Sequence, residues 1–140
     1  IYRVWNDTQE FSNFYVETYV KLQEGDSVGA CYGLSFRQSD TEHYRIRICD
    51  DRNYDIYFYD SNGWSEIIGI SYADSLIPGE WNKLAVFAEG PTVMFFVNDV
   101  MVTVFDDSRR LSGYVGLIVE FNEGSYGLIT YDDFYVVGQD

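Results

Sequence analysis

Apolar and polar side chains alternate with a period of two along most of this chain, as in Tyr32, Leu34 and Phe36 against Gly33, Ser35 and Arg37. Apolar residues spaced i, i+3, i+4 and i+7 form no convincing helical stripe. The alternation predicts strands at Tyr2–Trp5, Asn13–Leu22, Ala30–Gln38, His43–Cys49, Asn53–Tyr59, Trp64–Ser71, Trp81–Ala88, Thr92–Val97, Val100–Phe105, Gly113–Phe121 and Tyr126–Val137. Turn-forming residues separate several of them: Glu24-Gly25-Asp26, Asp60-Ser61-Asn62-Gly63, Pro78-Gly79, Gly90-Pro91 and Asn98-Asp99. Short strands at this spacing predict an all-β fold, a two-sheet antiparallel sandwich before a barrel, in a single domain over 1–140.

Turn lengths and side-chain phase also predict registers. If Phe36 faces Tyr44, then Leu34 faces Ile46 and Tyr32 faces Ile48, all of them core types. With Asp50-Asp51-Arg52 as a three-residue turn, Ile48, Ile46 and Tyr44 face Tyr54, Ile56 and Phe58. The opposite face of this four-strand meander then carries Arg37, His43, Arg45, Arg47, Asp55, Tyr57, Tyr59, Trp64 and Glu66. Cys31 falls opposite Cys49, close enough for a cross-strand disulfide, with two separate reduced thiols as the alternative. Further on, an Asn98-Asp99 turn with both residues left-handed pairs Phe95 with Val102 and Val93 with Val104 as core. That register leaves Met94, Phe96, Met101 and Phe105 on the other face, either under a loop or neighbouring module or as an exposed apolar patch.

Composition narrows the partners. Against 23 acidic residues stand 9 Lys and Arg, for a formal net charge of −14. Phosphate backbones and anionic membrane surfaces are repelled by such a chain, which predicts no nucleic-acid partner. With no apolar run of about 18 residues, no membrane insertion is expected. The chain opens on Ile1, with no initiating Met and no signal peptide, as a piece excised from a larger multidomain protein would.

The strands carry a family resemblance. Phe14-Tyr15-Val16-Glu17-Thr18-Tyr19-Val20 resembles an early strand of the family. The hairpin Tyr32-Gly33-Leu34-Ser35-Phe36-Arg37 with His43-Tyr44-Arg45-Ile46-Arg47-Ile48 resembles its central pair. Gly79-Glu80-Trp81-Asn82-Lys83-Leu84-Ala85-Val86 is similar to its G-x-W-N-x-L-x-V segment, and Phe96-Val97-Asn98-Asp99 to its hydrophobic-V-N-G hairpin. Ser112–Leu117 and Asp132–Val136 resemble its closing strands. These are concanavalin A-like lectin/glucanase domains, including laminin G-like domains and bacterial 3-keto-disaccharide hydrolase-type relatives. The resemblance, over about residues 11 to 137, implies an antiparallel jelly roll of two curved sheets, with sugar binding in many members and glycan cleavage in some. Asp99 stands where the hairpin usually has Gly, and a strand and hairpin usual before Tyr2–Trp5 are not found, which implies a truncation or an open sheet edge.

Candidate chemistry concentrates on the meander's polar face. Arg37, His43, Arg45 and Arg47 gather there beside Tyr57, Tyr59 and Trp64, in an otherwise acidic protein. Aromatic rings stack on sugar rings while polar groups bond hydroxyls, and three arginines could grip an acidic sugar. The bland alternative is a solvated sheet face held by Arg47–Asp55 and Arg45–Tyr57 pairs. No acidic motif of the family's glucanases (E-x-D-x-x-E) occurs, and a carboxylate paired with arginine makes a poor general acid, so no catalytic residue is assigned. His43, the single histidine, reads as a surface residue, and one His with two Cys is too few for zinc. No cofactor is expected. Calcium is the one metal with candidate ligands, at Asp60 and Asn62, Asp106 and Asp107, and Asp132 and Asp133, where ordinary turn chemistry is the alternative.

These readings predict an extracellular or cell-surface, non-catalytic module that binds a glycan or oligosaccharide on its concave sheet. The alternatives are a structural module docking a neighbouring domain or protein partner through the Met94, Phe96, Met101 and Phe105 face, and a glycoside hydrolase-related enzyme.

Overall fold

The computed structural model describes residues 2–5 and 9–139. Among the described residues there are eleven strands: β1 (Tyr2–Trp5), β2 (Asn13–Gly25), β3 (Ala30–Gln38), β4 (His43–Cys49), β5 (Asn53–Asp60), β6 (Gly63–Tyr72), β7 (Asn82–Glu89), β8 (Thr92–Val97), β9 (Val100–Asp106), β10 (Tyr114–Phe121) and β11 (Gly127–Gln139). Every strand predicted from the alternation is found, with ends that differ by at most a few residues. They form two antiparallel sheets, one of six strands in the order β1-β10-β3-β4-β5-β6 and one of five in the order β11-β2-β7-β8-β9.

The inner faces of the two sheets meet in one core. Val16, Val20, Leu84, Val86, Val93 and Phe95 come from the five-stranded sheet, and Tyr32, Leu34, Phe36, Tyr44, Ile46, Ile56 and Phe58 from the six-stranded one. A run of aromatic rings crosses between the sheets: Phe11, Phe14, Phe36, Tyr44 and Phe58 are linked by centroid distances of 6.4, 6.0, 5.1 and 4.7 Å. Such pairs contribute about 0.5–1.5 kcal/mol each beyond simple burial.

Local sequence explains the tight connections. Asn98 and Asp99 take positive φ of 53° and 66°, the two-residue turn whose twist suits a hairpin. Arg52 takes φ 75° as the third residue of the β4–β5 turn and donates its N–H to Cys49 O at 2.9 Å. Two asparagines of the family-like segments hold the far end of the five-stranded sheet. The Asn98 side-chain amide donates to Asn82 Oδ1 at 2.8 Å and Ser75 O at 2.9 Å, while buried Asn82 bonds the backbone of Ile77 and Glu80. They clamp the 73–81 connection to the strand ends.

The β8–β9 register differs from the one predicted. Val97 does face Val100, and Phe96 faces Met101, but a bulge follows, so that Phe95 pairs with Thr103 and Val93 with Phe105. Residues beyond the bulge therefore change sides: Phe105 is buried in the core and Val104 is exposed. One extra residue in a strand reverses the facing of all that follow it.

Candidate functional site

The meander β3–β6 has the predicted register throughout its central part. Phe36, Leu34 and Tyr32 face Tyr44, Ile46 and Ile48; Arg45 faces Tyr57 and Arg47 faces Asp55; Tyr59 faces Trp64 and Tyr57 faces Glu66. Period-two geometry then puts His43, Arg45, Arg47, Asp55, Tyr57, Tyr59, Trp64 and Glu66 on the outer face of the six-stranded sheet. Cys31 and Cys49, directly opposed on the same face, form a disulfide with Cα atoms 4.2 Å apart.

Two predicted positions are corrected. Arg37 leaves the face: with φ 48° it breaks the alternation at the end of β3, and it is fully buried. Its guanidinium donates to the carbonyls of Ser12 at 2.9 Å and Arg110 at 3.3 Å, locking the rim between the sheets. Burial pushes its pKa down from the usual arginine value. His43 is not a surface residue but is only 2% exposed. Its ring lies 5.6 Å from Tyr59 and meets Trp64 edge-on at 5.4 Å.

The aromatic wall at this end of the face has Trp64 at its centre. Tyr59 lies 4.9 Å from the indole, and Tyr57 meets it at 6.4 Å. The Arg45 guanidinium sits over both Trp64, at 4.6 Å, and Tyr57, at 5.2 Å. Trp64 nonetheless stays 43% exposed, so a large part of the ring is available to solvent.

Behind this wall lies a closed ring of charges. Asp55 accepts from Arg45 at 2.7 Å and from Arg47 at 2.5 Å; Glu120 accepts from Arg45 at 3.1 Å and from Arg47 at 3.0 Å. Two cations and two anions cancel. Burial alone would lower the Arg47 pKa, but Asp55 and Glu120 outweigh it and hold it above its ordinary value. Arg45 Nε has no hydrogen-bond partner among the described residues. Sequence reasoning missed Glu120, because β10 reaches β3 from far along the chain, with Glu120 beside Cys31.

The same arrangement bears on acid chemistry. Asp55 and Glu120 are each bound to two guanidiniums. Among the described residues of this face, two carboxylates stand outside an ion pair: Glu66, exposed and bonded to the Tyr57 hydroxyl at 3.2 Å, and Asp51 at the far end, which accepts from Asn53 at 3.0 Å. Hydrolysis needs two cooperating carboxyl groups, one of them able to give up a proton.

The calcium candidates lie in separate places. Asp60 Oδ1 accepts the Asn62 N–H in the β5–β6 turn, and Asp106 accepts from Thr92. Asp107 is held by Arg109 at 2.6 Å and by the Tyr44 hydroxyl at 2.6 Å. Asp132 caps the Asp133 N–H at 2.9 Å, where Asp133 has φ 55°. No group of three or more His, Cys, Asp or Glu suited to a metal ion occurs among the described residues.

Beyond Arg47 the face ends in a cavity of about 160 Å³, lined by the Cys31–Cys49 disulfide, Val28, Asp51, Asn53, Tyr54, Ile70 and Asn122 as well as Arg47 and Asp55. Gly33 on β3 pairs with Arg47 on one side and Ile118 of β10 on the other; a Cβ there would stand 1.9 Å from the carbonyl oxygen of Ile46, so only glycine fits.

Two antiparallel sheets in this order, with a decorated outer face on the larger, define a concanavalin A-like jelly roll. The carbohydrate-binding module CBM66 from Bacillus subtilis superposes with a TM-score of 0.75 at 16% identity, over 95% of this chain and 90% of that one. Sheep galectin-11, solved in complex with glycerol, gives 0.71 at 14% identity, over 97% and 96%. A Bacteroides ovatus GH16 protein of a mixed-linkage glucan locus, solved with a G4G4G3G product, gives 0.66 at 10% identity, over 85% of this chain and 60% of that one. The model of the 3-keto-alpha-glucoside-1,2-lyase-like domain matches residues 3–133, and the chain belongs to that family. No curated protein matches it in sequence.

Proposed function

We propose that this chain is a non-catalytic carbohydrate-binding module whose ligand, a neutral glycan, lies on the outer face of the six-stranded sheet. The observation that carries this reading is the setting of Trp64. An indole 43% exposed is braced by His43, Tyr57 and Tyr59 and backed by the Arg45 guanidinium. A rigid aromatic face beside fixed polar groups suits a sugar ring, which offers C–H groups on one side and hydroxyls at its edge. Neutrality follows from the charge ring: both guanidiniums already hold two carboxylates, so an acidic sugar would have to displace one. A chain with net charge −14 adds further repulsion.

The carbohydrate-binding and lectin neighbours support this reading. The family description names a lyase and the GH16 neighbour is a glycoside hydrolase; the ion-paired carboxylates speak against the two-carboxyl hydrolysis of the latter. The Cys31–Cys49 disulfide fits an extracellular or cell-surface setting, where such bonds persist.

The test is a neutral-glycan array followed by calorimetric titration of the wild type and Trp64→Ala. Loss of one stacking face should weaken binding by about tenfold or more, equivalent to about 1.4 kcal/mol, with the native circular dichroism retained. Failure of the wild type to bind any neutral glycan, or full affinity in Trp64→Ala, would overturn the proposal.

A further inference from the structure

The disulfide-lined cavity is not accounted for by a single sugar stacked on Trp64. It stands at the opposite end of the same face. The outward residues of β4 run His43, Arg45, Arg47, Cys49, and six residues of strand span roughly 20 Å. His43 touches the aromatic wall; Cys49 lines the cavity; Arg47 and Asp55 belong to both the charge ring and the cavity lining. Between the two ends Arg47 and Glu120 keep side-chain exposures of 24% and 19%, while Arg45 and Asp55 lie buried against them.

The cavity's chemistry differs from that of the wall. Its lining holds the disulfide, with Val28 and Ile70, which remain 63% and 76% exposed. An apolar side chain so open, on a strand and a loop that face each other across a hollow, presents methyl groups to whatever enters. Asn122 supplies an amide, and Asn53 donates its own to the Asp51 carboxylate at 3.0 Å, so that a carboxylate stands among the lining groups as well. At about 160 Å³ the hollow is well below the roughly 300–1,000 Å³ of sites for drug-sized ligands. It has room for one sugar unit presenting its C–H face, with hydroxyls turned to the amides.

Resting on the carbohydrate-binding reading above, we infer that the site is two-ended and that its ligand is an internal stretch of a linear neutral oligosaccharide, three or more units long. One unit stacks on Trp64, the intervening part crosses Arg47 and Glu120, and a further unit enters the cavity between Val28 and Ile70. A single terminal sugar leaves one end empty.

The experiment is calorimetric titration with length ladders, from one to six units, of β-linked gluco-, galacto- and fructo-oligosaccharides. Wild type, Trp64→Ala, Ile70→Arg and Val28→Arg are compared, each checked for native circular dichroism. Affinity should rise by about tenfold or more from two units to four, with one ligand per chain at the longer lengths. In Ile70→Arg and Val28→Arg, both exposed positions, that rise should disappear. Trp64→Ala should lose affinity at every length. A wild type whose affinity does not change with length, a rise that survives both arginine variants, or two ligands per chain would each overturn the two-ended site and leave the carbohydrate-binding reading standing. No binding to any ladder would overturn both.

Discussion

On the six-stranded sheet the outward residues of β4 are His43, Arg45 and Arg47; on the five-stranded sheet those of β8 are Met94 and Phe96. The inner faces of the two sheets are chemically alike, both packed with aliphatic and aromatic side chains in one core. Their outer faces are not. One holds two arginines and two carboxylates in a closed ring beside an aromatic wall. The other runs Val137, Tyr15, Phe87, Met94 and Val104 across its five strands, with Tyr135, Phe96 and Met101 in the next row. Buried charges cost desolvation energy and are kept only when paired, whereas apolar side chains on an outer face need no such pairing for the chain to fold. The difference teaches that the first face is built and the second is only tolerated by the fold.

Replacing Asp55 by Ala attacks the built face most directly. It leaves Arg45 and Arg47 with Glu120 alone, and breaking such a buried ring should cost about 3–5 kcal/mol in urea unfolding. A loss below about 1 kcal/mol would mean that the ring is a surface feature and the contrast between faces is false.

Removing the disulfide with paired Cys31→Ser and Cys49→Ser changes comes next. The bridge closes a loop with a sequence separation of 18, for which chain entropy predicts a loss of about 3 kcal/mol. Thermal unfolding of the double variant, with and without reductant, checks this.

Alkaline pH probes the inner faces instead. Burial, together with bonds to Asp50 for Tyr32 and Asp107 for Tyr44, raises the Tyr32, Tyr44 and Tyr131 phenols, Tyr44 to about 12. These protons stay on longer in the folded chain than in the unfolded one, so their stabilisation is complete below pH 10 and is lost as pH rises through the folded values. At the acid end Asp107 acts oppositely. Burial raises its pKa, but the Arg109 and Tyr44 hydrogen bonds prevail and hold it below the usual carboxylate value, so its contribution is lost as pH falls below about 3.8. Equilibrium unfolding should therefore weaken from pH 10 to 12; an unchanged midpoint there would contradict the burial of these phenols.

Met101→Lys on the tolerated face should have the smallest effect, within about 0.5 kcal/mol in stability, and none on glycan affinity. A large loss of either would show that the second face, too, is built.

How much of this was legible varied along the chain for physical reasons. In β3–β6 the connections are short, so a turn length and a two-residue period set which side chains oppose each other, and Tyr57 meets Glu66 as expected. The aromatic wall and the cysteine pair were legible for the same reason. In β8–β9 the turn was equally plain, yet a bulge after Phe96 turned Phe105 inward, and nothing in Met101-Val102-Thr103 announces it. Arg37 misled because an arginine at φ 48° is rare, and only the carbonyls of Ser12 and Arg110, distant in sequence, make that conformation worthwhile.

By itself the sequence determined the strands, the tight turns and the neighbours of consecutive strands, because these depend on side-chain alternation and on a few residues of backbone geometry. Tertiary structure alone decided that β10 lies between β1 and β3, that β2 lies between β11 and β7, and hence that Glu120 completes the ring with Arg45 and Arg47. Those pairings join segments tens of residues apart, and they are chosen by the need to bury two apolar faces against each other, a requirement that no local pattern contains.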